Sequence, residues 1–264
     1  MTQNYLKALS KNKIKLISRL QQKKWRDELG CFLAEGTKLV TDLSTSFKGM
    51  LLVATPDWLK NHLPIQAEET LIVTSEEFKK ISTQKTPQGV LAIFKKKETK
   101  WSFLEISSQL CFALEDIQDP GNLGTIIRVA DWFGISNIFC SEHSADVYGT
   151  KVVQATMGAL ARVQVHIVHL PDFLIESKKY QIPLYGTFLK GENIFTTSLT
   201  PEGIIVLGNE GNGISSVLEN IIPTRLTIPS YPSENFTSES LNVSVAAGIV
   251  AAEFRKRLMI HKGI

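Results

Sequence analysis

The sequence predicts an α/β protein in which a smaller α/β unit precedes a C-terminal part built on a mostly parallel sheet. From residue 110 onward, short apolar runs alternate with longer amphipathic runs, the pattern of a parallel sheet with helices on both faces. Three polar segments, 119–128, 207–213 and 238–244, follow such apolar runs. Ligand sites in open α/β sheets lie beyond the carboxyl ends of the strands. We therefore expect the three segments to form one composite site.

The first 26 residues contain eight basic residues and no acidic ones. From Leu6 and Lys7 onward, basic and apolar side chains recur at helical spacing, so a helix here has one core-facing stripe and one basic stripe. Ser10 is its expected N-cap. The basic stripe is either solvated surface or a surface that meets phosphates; a membrane-surface helix is a third alternative, without the expected aromatic face. The lack of acidic residues among these 26 favours a surface that meets phosphates over the other two alternatives. The candidate residues for contact with phosphates are Lys11, Lys15, Arg19, Lys23, Lys24 and Arg26.

The remaining elements of the N-terminal part alternate between short strands and short helices. They are a strand, turn and helix over 31–44, a strand and helix over 50–63, a strand at 71–75, a helix at 76–82 and a strand at 89–95. A charged stretch over 95–100 without apolar periodicity is the expected linker, which predicts domains at 1–96 and 101–264. The first 100 residues carry a net charge of +8 and the remainder −5, so a polyanionic partner meets the N-terminal part first.

The C-terminal part contains six candidate strands and five candidate helices. The strands are 110–115, 137–141, 163–168, 182–187, 203–208 and 225–229, and the helices are 122–133, 149–160, 171–180, 213–221 and 241–259. Strands that alternate with helices in this way predict a doubly covered parallel sheet.

Composition excludes several classes of protein. No signal peptide is visible, and no apolar run is long enough to span a bilayer. Cys31, Cys111 and Cys140 are far apart and lie within apolar runs, which is typical of reduced, buried thiols in a cytoplasmic protein. The histidines have no acidic or thiol companions at ligand spacing, so we expect no metal site.

The first polar segment joins a strand to a helix. Asp119 and the Pro-Gly pair after it end the strand, and Asn122 opens a helix that carries Arg128. Arg128 would point a five-donor guanidinium at a phosphate or a developing negative charge; an ordinary surface ion pair is the alternative.

The other two segments are rich in glycine and in small polar residues. In the second, Gly208, Gly211 and Gly213 surround Glu210, and they permit close approach of the backbone to a ligand; a plain glycine-rich turn is the alternative. In the third, Ser240 and Asn242 flank Leu241 at the start of a helix, which Ser240 can cap.

The three segments together resemble a known family. Asn122, Gly124 and Arg128, then LGNEGNG at 207–213, then SLNVS at 240–244 are similar, in order and spacing, to the three motifs of the SpoU (TrmH-like) RNA ribose 2′-O-methyltransferases of the SPOUT superfamily. The resemblance implies that S-adenosylmethionine binds in a deep trefoil knot and that a homodimer completes the site. The N-terminal part resembles the small RNA-binding domain that precedes many of these enzymes, which implies that the six candidate phosphate-contacting residues named above are RNA-binding residues.

The resemblance also implies roles for individual residues. It assigns cofactor binding to the second and third motifs and to one strand end, and it centres catalysis on Arg128. The implied cofactor-binding residues are Gly208, Asn209, Gly211, Ile228 and Leu241, and the implied catalytic residues are Arg128, Asn122, Glu210, Ser240 and Asn242. An arginine side chain has no acceptor, so we favour a role in gripping the RNA phosphate and the 2′-oxygen over a role as a base.

The expected activity is therefore methylation of a ribose in ribosomal RNA, in the cytoplasm. The alternatives are a tRNA 2′-O-methyltransferase, a SPOUT enzyme that methylates a base, and a non-catalytic RNA-binding module, which would be expected to lose Arg128 or Asn242. One departure from the family is the segment between Ile228 and Ser240, which is about four residues longer than usual.

Overall fold

The computed structural model describes residues 9–231 and 240–262, with the backbone alone for 258–262. These residues confirm the α/β class. They divide into two compact units, one of 9–98 with 146–162 and one of 99–145 with 163 onward. The segment 146–162, grouped by the sequence pattern with the second sheet, thus has its contacts in the first unit. Three predicted features lie outside the described residues: Leu6 and Lys7 of the basic stripe, the start of the third polar segment, and positions 232–239 of the long segment.

The first unit is built on a four-stranded sheet in the order β1-β4-β2-β3, in which β2 and β3 are parallel and the other pairs antiparallel. Its apolar strand residues pack with Ile17, Leu20 and Phe78 into one core. Its elements are α1 (Lys11–Arg19), α2 (Lys23–Leu29), β1 (Cys31–Glu35), α3 (Thr37–Ser44), β2 (Gly49–Ala54), α4 (Pro56–Asn61), β3 (Ala67–Ile72), α5 (Ser75–Lys79), β4 (Val90–Lys95) and, after a return of the chain, α8 (Thr150–Thr156).

The basic N-terminal stripe is divided between two helices. Ser10 caps α1 as expected, since its side chain accepts a hydrogen bond from the Lys13 backbone at 3.3 Å. The helix ends at Arg19 with Leu20 as its C-cap; Leu20 is fully buried in the core, and its carbonyl accepts from Arg26 Nη1 at 2.8 Å. Lys11, Lys15 and Arg19 therefore lie on α1, whereas Lys23 opens α2.

Arg26 occupies a different environment from the other predicted RNA-binding residues. It is 4% exposed, and besides Leu20 it binds Asp146, with Nε 2.9 Å from Oδ2. A guanidinium that is buried and bonded in this way cannot also meet a phosphate at the surface. The expectation that Arg26 contacts RNA is inconsistent with this position, and its role in the structure is to tie α2 to the chain near Asp146.

The second unit is built on a six-stranded sheet in the order β10-β8-β9-β5-β6-β7, with every pair parallel. Its elements are α6 (Phe103–Ile106), β5 (Leu110–Leu114), α7 (Pro120–Trp132), β6 (Asn137–Cys140), β7 (Gln164–Ile167), α9 (Leu170–Ser177), β8 (Leu184–Asn193), β9 (Gly203–Leu207), α10 (Ser216–Glu219), β10 (Thr224–Thr227) and α11 (Val243–Lys262). The trefoil knot stays a prediction.

Burial explains why the sequence located the central strands well. Every residue of β5, β6 and β9 is buried, as a strand covered by helices on both faces requires. All three cysteines are buried, and burial raises the thiol pKa of Cys111 and Cys140 to about 12. Within the described helices, none combines the length and hydrophobicity needed to cross a membrane.

Candidate active site

The ends of β5 and β9 bring the first two polar segments together. These strands are parallel neighbours, and the backbone N–H of Glu115 donates to the Leu207 carbonyl at 2.9 Å. Asn209 continues the connection, because its Nδ2 donates to the Asp116 carbonyl at 2.7 Å. The Asn209 Oδ1 accepts from the backbone of Gly211 at 2.9 Å and of Asn212 at 3.0 Å. One side chain thus holds the second segment in shape and ties it to the first.

The second segment is a tight turn that needs glycine at position 208. The Asn209 and Gly213 backbones exchange hydrogen bonds of 3.0 and 2.9 Å across the turn. A Cβ atom at Gly208 would lie 2.2 Å from the Gly213 carbonyl carbon and 2.3 Å from the Ile214 nitrogen, so no larger residue fits. At Gly211 the nearest atom to such a Cβ would be 3.5 Å away, which is an ordinary contact. Packing within the turn therefore requires glycine at position 208 and not at 211, and the close approach of this backbone to a ligand stays a prediction.

The first segment opens α7 with a strong N-terminal cap. Asp119 Oδ1 accepts from the Asn122 backbone at 2.8 Å, and Pro120 occupies the first turn, where its missing N–H costs nothing. The helix begins at Pro120, two residues before its predicted start. The cap fixes Asn122 in the first turn, with its side chain at the edge of the sheet.

A chain of side-chain hydrogen bonds joins all three segments. Glu210 Oε1 accepts from Asn122 Nδ2 at 3.1 Å, and Asn122 Oδ1 accepts from Asn242 Nδ2 at 2.9 Å. The same carboxylate also accepts from the backbone N–H groups of Gln118 at 3.3 Å and Asp119 at 3.2 Å. Since a carboxylate can only accept, Glu210 fixes the orientation of both amides. The expected convergence of the three segments is therefore observed.

The third segment is capped by a residue other than the expected one. The described helix begins at Val243, and Asn242 Oδ1 accepts from the Ser244 backbone at 2.9 Å and from the Ser244 hydroxyl at 2.6 Å. Ser240 lies two residues further from the helix, so the expectation that it caps α11 is wrong. Leu241, between them, is 50% exposed, and Ile228 is half-buried directly after β10.

Arg128 lies outside this hydrogen-bonded chain. Its side chain is exposed in the third turn of α7. Within the described part of the chain, the guanidinium forms no hydrogen bond and no ion pair. Its five donors are therefore available to a ligand. Ser240 is also exposed. Among residues 9–231 and 240–262, no group of three or more His, Cys, Asp or Glu side chains is arranged to hold a metal ion.

In the first unit, the remaining predicted RNA-binding residues present positive charge to solvent. Lys11, Lys15, Lys23 and Lys24 are exposed and Arg19 is half-buried; none forms an ion pair with another described residue. The Arg19 guanidinium lies 4.1 Å from the centre of the Trp25 ring. The sequence reasoning missed Trp25, although an aromatic residue directly after two lysines was a usable signal.

The parallel sheet, the three hydrogen-bonded loops at its carboxyl edge and the exposed guanidinium have the form of an α/β ligand site that suits an anionic ligand. Residues 109–252 match the SpoU rRNA Methylase family, and residues 11–92 match the MRM3-like substrate binding domain. The chain belongs to the SpoU rRNA methylase family.

Individual relatives extend the match over nearly the whole chain. The 23S rRNA (guanosine(2553)-2′-O)-methyltransferase RlmP of Bacillus subtilis is 27% identical over 95% of this chain and 98% of its own length. A solved structure of a Porphyromonas gingivalis protein assigned to the TrmH family of RNA methyltransferases has a TM-score of 0.86 at 39% identity, covering 95% of this chain and all of the other. The S-adenosylmethionine-bound rRNA methyltransferase of Sinorhizobium meliloti has a TM-score of 0.81 at 29% identity, with 96% and 97% covered.

These matches confirm four predictions made from the sequence: the family, the fold class, the enzyme class of RNA 2′-O-methyltransferase and S-adenosylmethionine as the cofactor. The roles of individual residues stay predictions.

Proposed function

We propose that this protein transfers the methyl group of S-adenosylmethionine to the 2′-hydroxyl of a ribose in ribosomal RNA, with Arg128 as the central catalytic residue. The observation that carries the proposal is the contrast at the carboxyl edge of the sheet. Glu210, Asn122 and Asn242 are bonded to one another, whereas Arg128 is exposed and unpaired among the described residues. Ribosomal RNA is favoured because the full-length relative from Bacillus subtilis carries that substrate in its name.

The residues present suit the cofactor. Gly208 has no room for a side chain, so the turn offers backbone groups at close range, while Ile228 and Leu241 offer partly exposed apolar surface for an adenosine. We assign cofactor binding to these three residues, with Asn209 and Gly211 shaping the turn. When bound, S-adenosylmethionine supplies an electrophilic methyl group on a positively charged sulfur.

The residues of the chain then have to orient the ribose and manage one proton. The 2′-oxygen forms a bond to the methyl carbon, the carbon–sulfur bond breaks with its electron pair going to sulfur, and the hydroxyl proton leaves. Arg128 donates hydrogen bonds to the adjacent phosphate and to the 2′-oxygen, which stabilises the negative charge that develops there. Because arginine cannot accept a proton, the proton passes to phosphate or water.

The test of Arg128 is its replacement by lysine. Arg128→Lys keeps one positive charge but loses the planar fork, so we expect unchanged cofactor affinity by calorimetry and methyl transfer reduced about 100-fold. Arg225→Lys is the matched control, since Arg225 is an exposed arginine of the same unit paired with Glu219. Full methyl transfer by Arg128→Lys would remove Arg128 from the mechanism.

The RNA target is tested by mapping alkali-resistant linkages, because a 2′-methylated ribose resists cleavage. RNA is compared between cells with and without the gene. A resistant linkage in ribosomal RNA that disappears with the gene supports the proposal, whereas the same result in tRNA favours the alternative substrate. An unchanged pattern in all RNA would favour the non-catalytic RNA-binding module.

We further assign RNA recognition to residues 1–96 and methyl transfer to residues 101–264, and we propose that the enzyme acts in the cytoplasm as a homodimer. Support for a dimer comes from exposed apolar side chains on two helices that pack together: Trp132 of α7 is 85% exposed and Val245 of α11 is 50% exposed. Sedimentation analysis of the full chain tests the dimer directly. The buried free cysteines fit a reducing compartment.

A further inference from the structure

An open groove lies on the surface of the first unit, between α1 and α2. Its volume is about 480 Å³, and it is largely open to solvent. The groove combines cationic, aromatic and apolar surface. It is lined by Lys11, Ile14, Lys15, Ser18, Arg19, Gln22 and Trp25.

The cations of the groove have no acidic partner among the described residues. Lys11 and Lys15 are exposed and form no ion pair with any described residue. On the opposite side of α1, Lys13 is neutralised by Glu69, and Lys96 is paired with Asp27 at 2.6 Å. The positive charge at the groove is therefore not neutralised, and an anion would bind there without first breaking an ion pair.

Trp25 gives the groove a second property, a flat aromatic surface. The indole is half-buried, and the Arg19 guanidinium covers it at 4.1 Å from the ring centre. Both groups line the groove, so both contribute flat surface to it. Nucleic-acid bases stack on tryptophan rings and on arginine planes, and this stacking does not depend on the identity of the base.

We propose that this groove is a subsite for an unpaired nucleotide of the substrate RNA. A base stacks on the Trp25–Arg19 pair, and its flanking phosphates bind Lys11 and Lys15. This rests on the proposed function in one respect only, that the ligand is RNA. Unpaired nucleotides fit better than a duplex because bases within a helix are already stacked on both faces, whereas a splayed base has a free face.

The experiment measures binding of the full-length protein to two fluorescent probes. One is an unstructured eight-nucleotide RNA of mixed sequence, and the other is the same sequence closed into a hairpin stem. We expect Trp25→Ala to weaken binding of the unstructured probe by about 5- to 150-fold, the range that loss of one base–aromatic stack produces, with a much smaller effect on the stem. Trp25→Phe keeps a ring and should retain most of the affinity.

Lysine variants test the phosphate contacts. Lys15→Ala should lower the slope of log affinity against log salt by about 0.7 for the unstructured probe, as loss of one phosphate contact on a single strand predicts. Lys60→Ala is the matched control, because Lys60 is exposed on α4 of the same unit and does not line the groove. It should leave both the affinity and the slope unchanged.

Several outcomes would overturn the subsite. The first is an unchanged affinity of Trp25→Ala for the unstructured probe, and the second is an equal loss of affinity for the unstructured probe and for the hairpin stem. The third is competition by poly-glutamate as strong as that by unlabelled RNA, which would indicate nonspecific attraction of polyanions. Trp25→Phe keeps the test valid if Trp25→Ala fails to fold. A folded Trp25→Phe variant that loses binding of the unstructured probe would also refute stacking on the ring. Calorimetry with S-adenosylmethionine on the same samples separates this result from the proposed function, since cofactor binding depends on the second unit. A protein that binds the unstructured probe through Trp25 but methylates no RNA would support the subsite and refute the proposed enzymatic function.

Discussion

Replacing Asn122 by aspartate removes the donor from one bond of the side-chain chain at almost constant shape. In the structure Asn122 Nδ2 donates to Glu210 Oε1 at 3.1 Å, while Asn122 Oδ1 accepts from Asn242 at 2.9 Å. Asn122→Asp keeps the acceptor toward Asn242 and places a second carboxylate against Glu210. The variant therefore tests the bond between the first and second segments separately from the bond to the third.

The expected loss has two components. A hydrogen bond to a charged group is worth about 1.5–3 kcal/mol. Because Glu210 is exposed and Asn122 only half-buried, repulsion between the two carboxylates is screened to about 1 kcal/mol at this distance. Together they come to about 3 kcal/mol, which corresponds to a rate about 150-fold lower if the segments must be aligned in the transition state.

The assay is a double-mutant cycle of Asn122→Asp, Glu210→Gln and their combination. The initial rate of transfer of a radiolabelled methyl group is measured on ribosomal RNA from cells that lack the gene. In the double variant the amide at position 210 can donate to the carboxylate at position 122, so we expect at least tenfold recovery over Asn122→Asp alone. Glu142→Gln is the control, since Glu142 is also an exposed carboxylate, two residues after β6.

Additive losses would refute this reasoning. If the loss in the double variant equals the sum of the losses in the two single variants, the two side chains are not coupled in the working enzyme, and the bond in the structure has no catalytic consequence. A melting temperature for each protein ensures that differences in rate reflect the site and not the folded fraction.

Two further predictions concern the glycine turn and a buried histidine. Gly208→Ala places a Cβ 2.2 Å from a backbone carbon, so we expect stability to fall by about 3 kcal/mol or more and cofactor binding to be lost in calorimetry. Gly211→Ala has room for the Cβ and should change little. Equal tolerance of both substitutions would contradict the close packing at Gly208. His166 is buried against Asn137, and burial lowers its pKa from 6.5 to about 4, so the unfolded chain binds more protons between these values and stability should fall as pH drops from 6.5 toward 4. His166→Gln should flatten that dependence in melting curves, and an identical pH profile in both proteins would contradict the assignment.

The fold was predictable where local pattern and burial coincide. The strands β5, β6 and β9 match their predicted positions because each is a short apolar run buried on both faces. The helix predicted over 149–160 is shorter, ending at Thr156, because Met157 and Gly158 both have positive φ. Gly158 packs so closely on Asp42 that a Cβ would lie 2.5 Å from its carboxylate oxygen. A contact with a residue more than a hundred positions away leaves no mark on local periodicity.

The site was predictable as a meeting of three segments, but its internal bonding was not. The carboxyl ends of parallel neighbouring strands lie at one edge of a sheet, and this follows from the order of elements. Which residue caps α11, and that Arg26 is buried with Asp146, depend on side-chain geometry set by distant residues. The sequence pattern grouped Arg26 with the surface cations because it resembles them in type and spacing. Its bond to the distant Asp146 shows that it is instead a buried structural residue.

The bonding pattern assigns different functions to residues that the family resemblance groups together. Glu210 accepts three hydrogen bonds, and the Asn122 and Asn242 side chains each donate one bond and accept at least one, so their capacity is largely used on one another. Groups bonded in this way position the loops and pay little reorganisation energy during the reaction. Arg128 has no such partner among the described residues, so its guanidinium is free to bind an anion. We therefore propose that catalysis depends on Arg128 for contact with RNA, and on Glu210, Asn122 and Asn242 for holding the three loops in place.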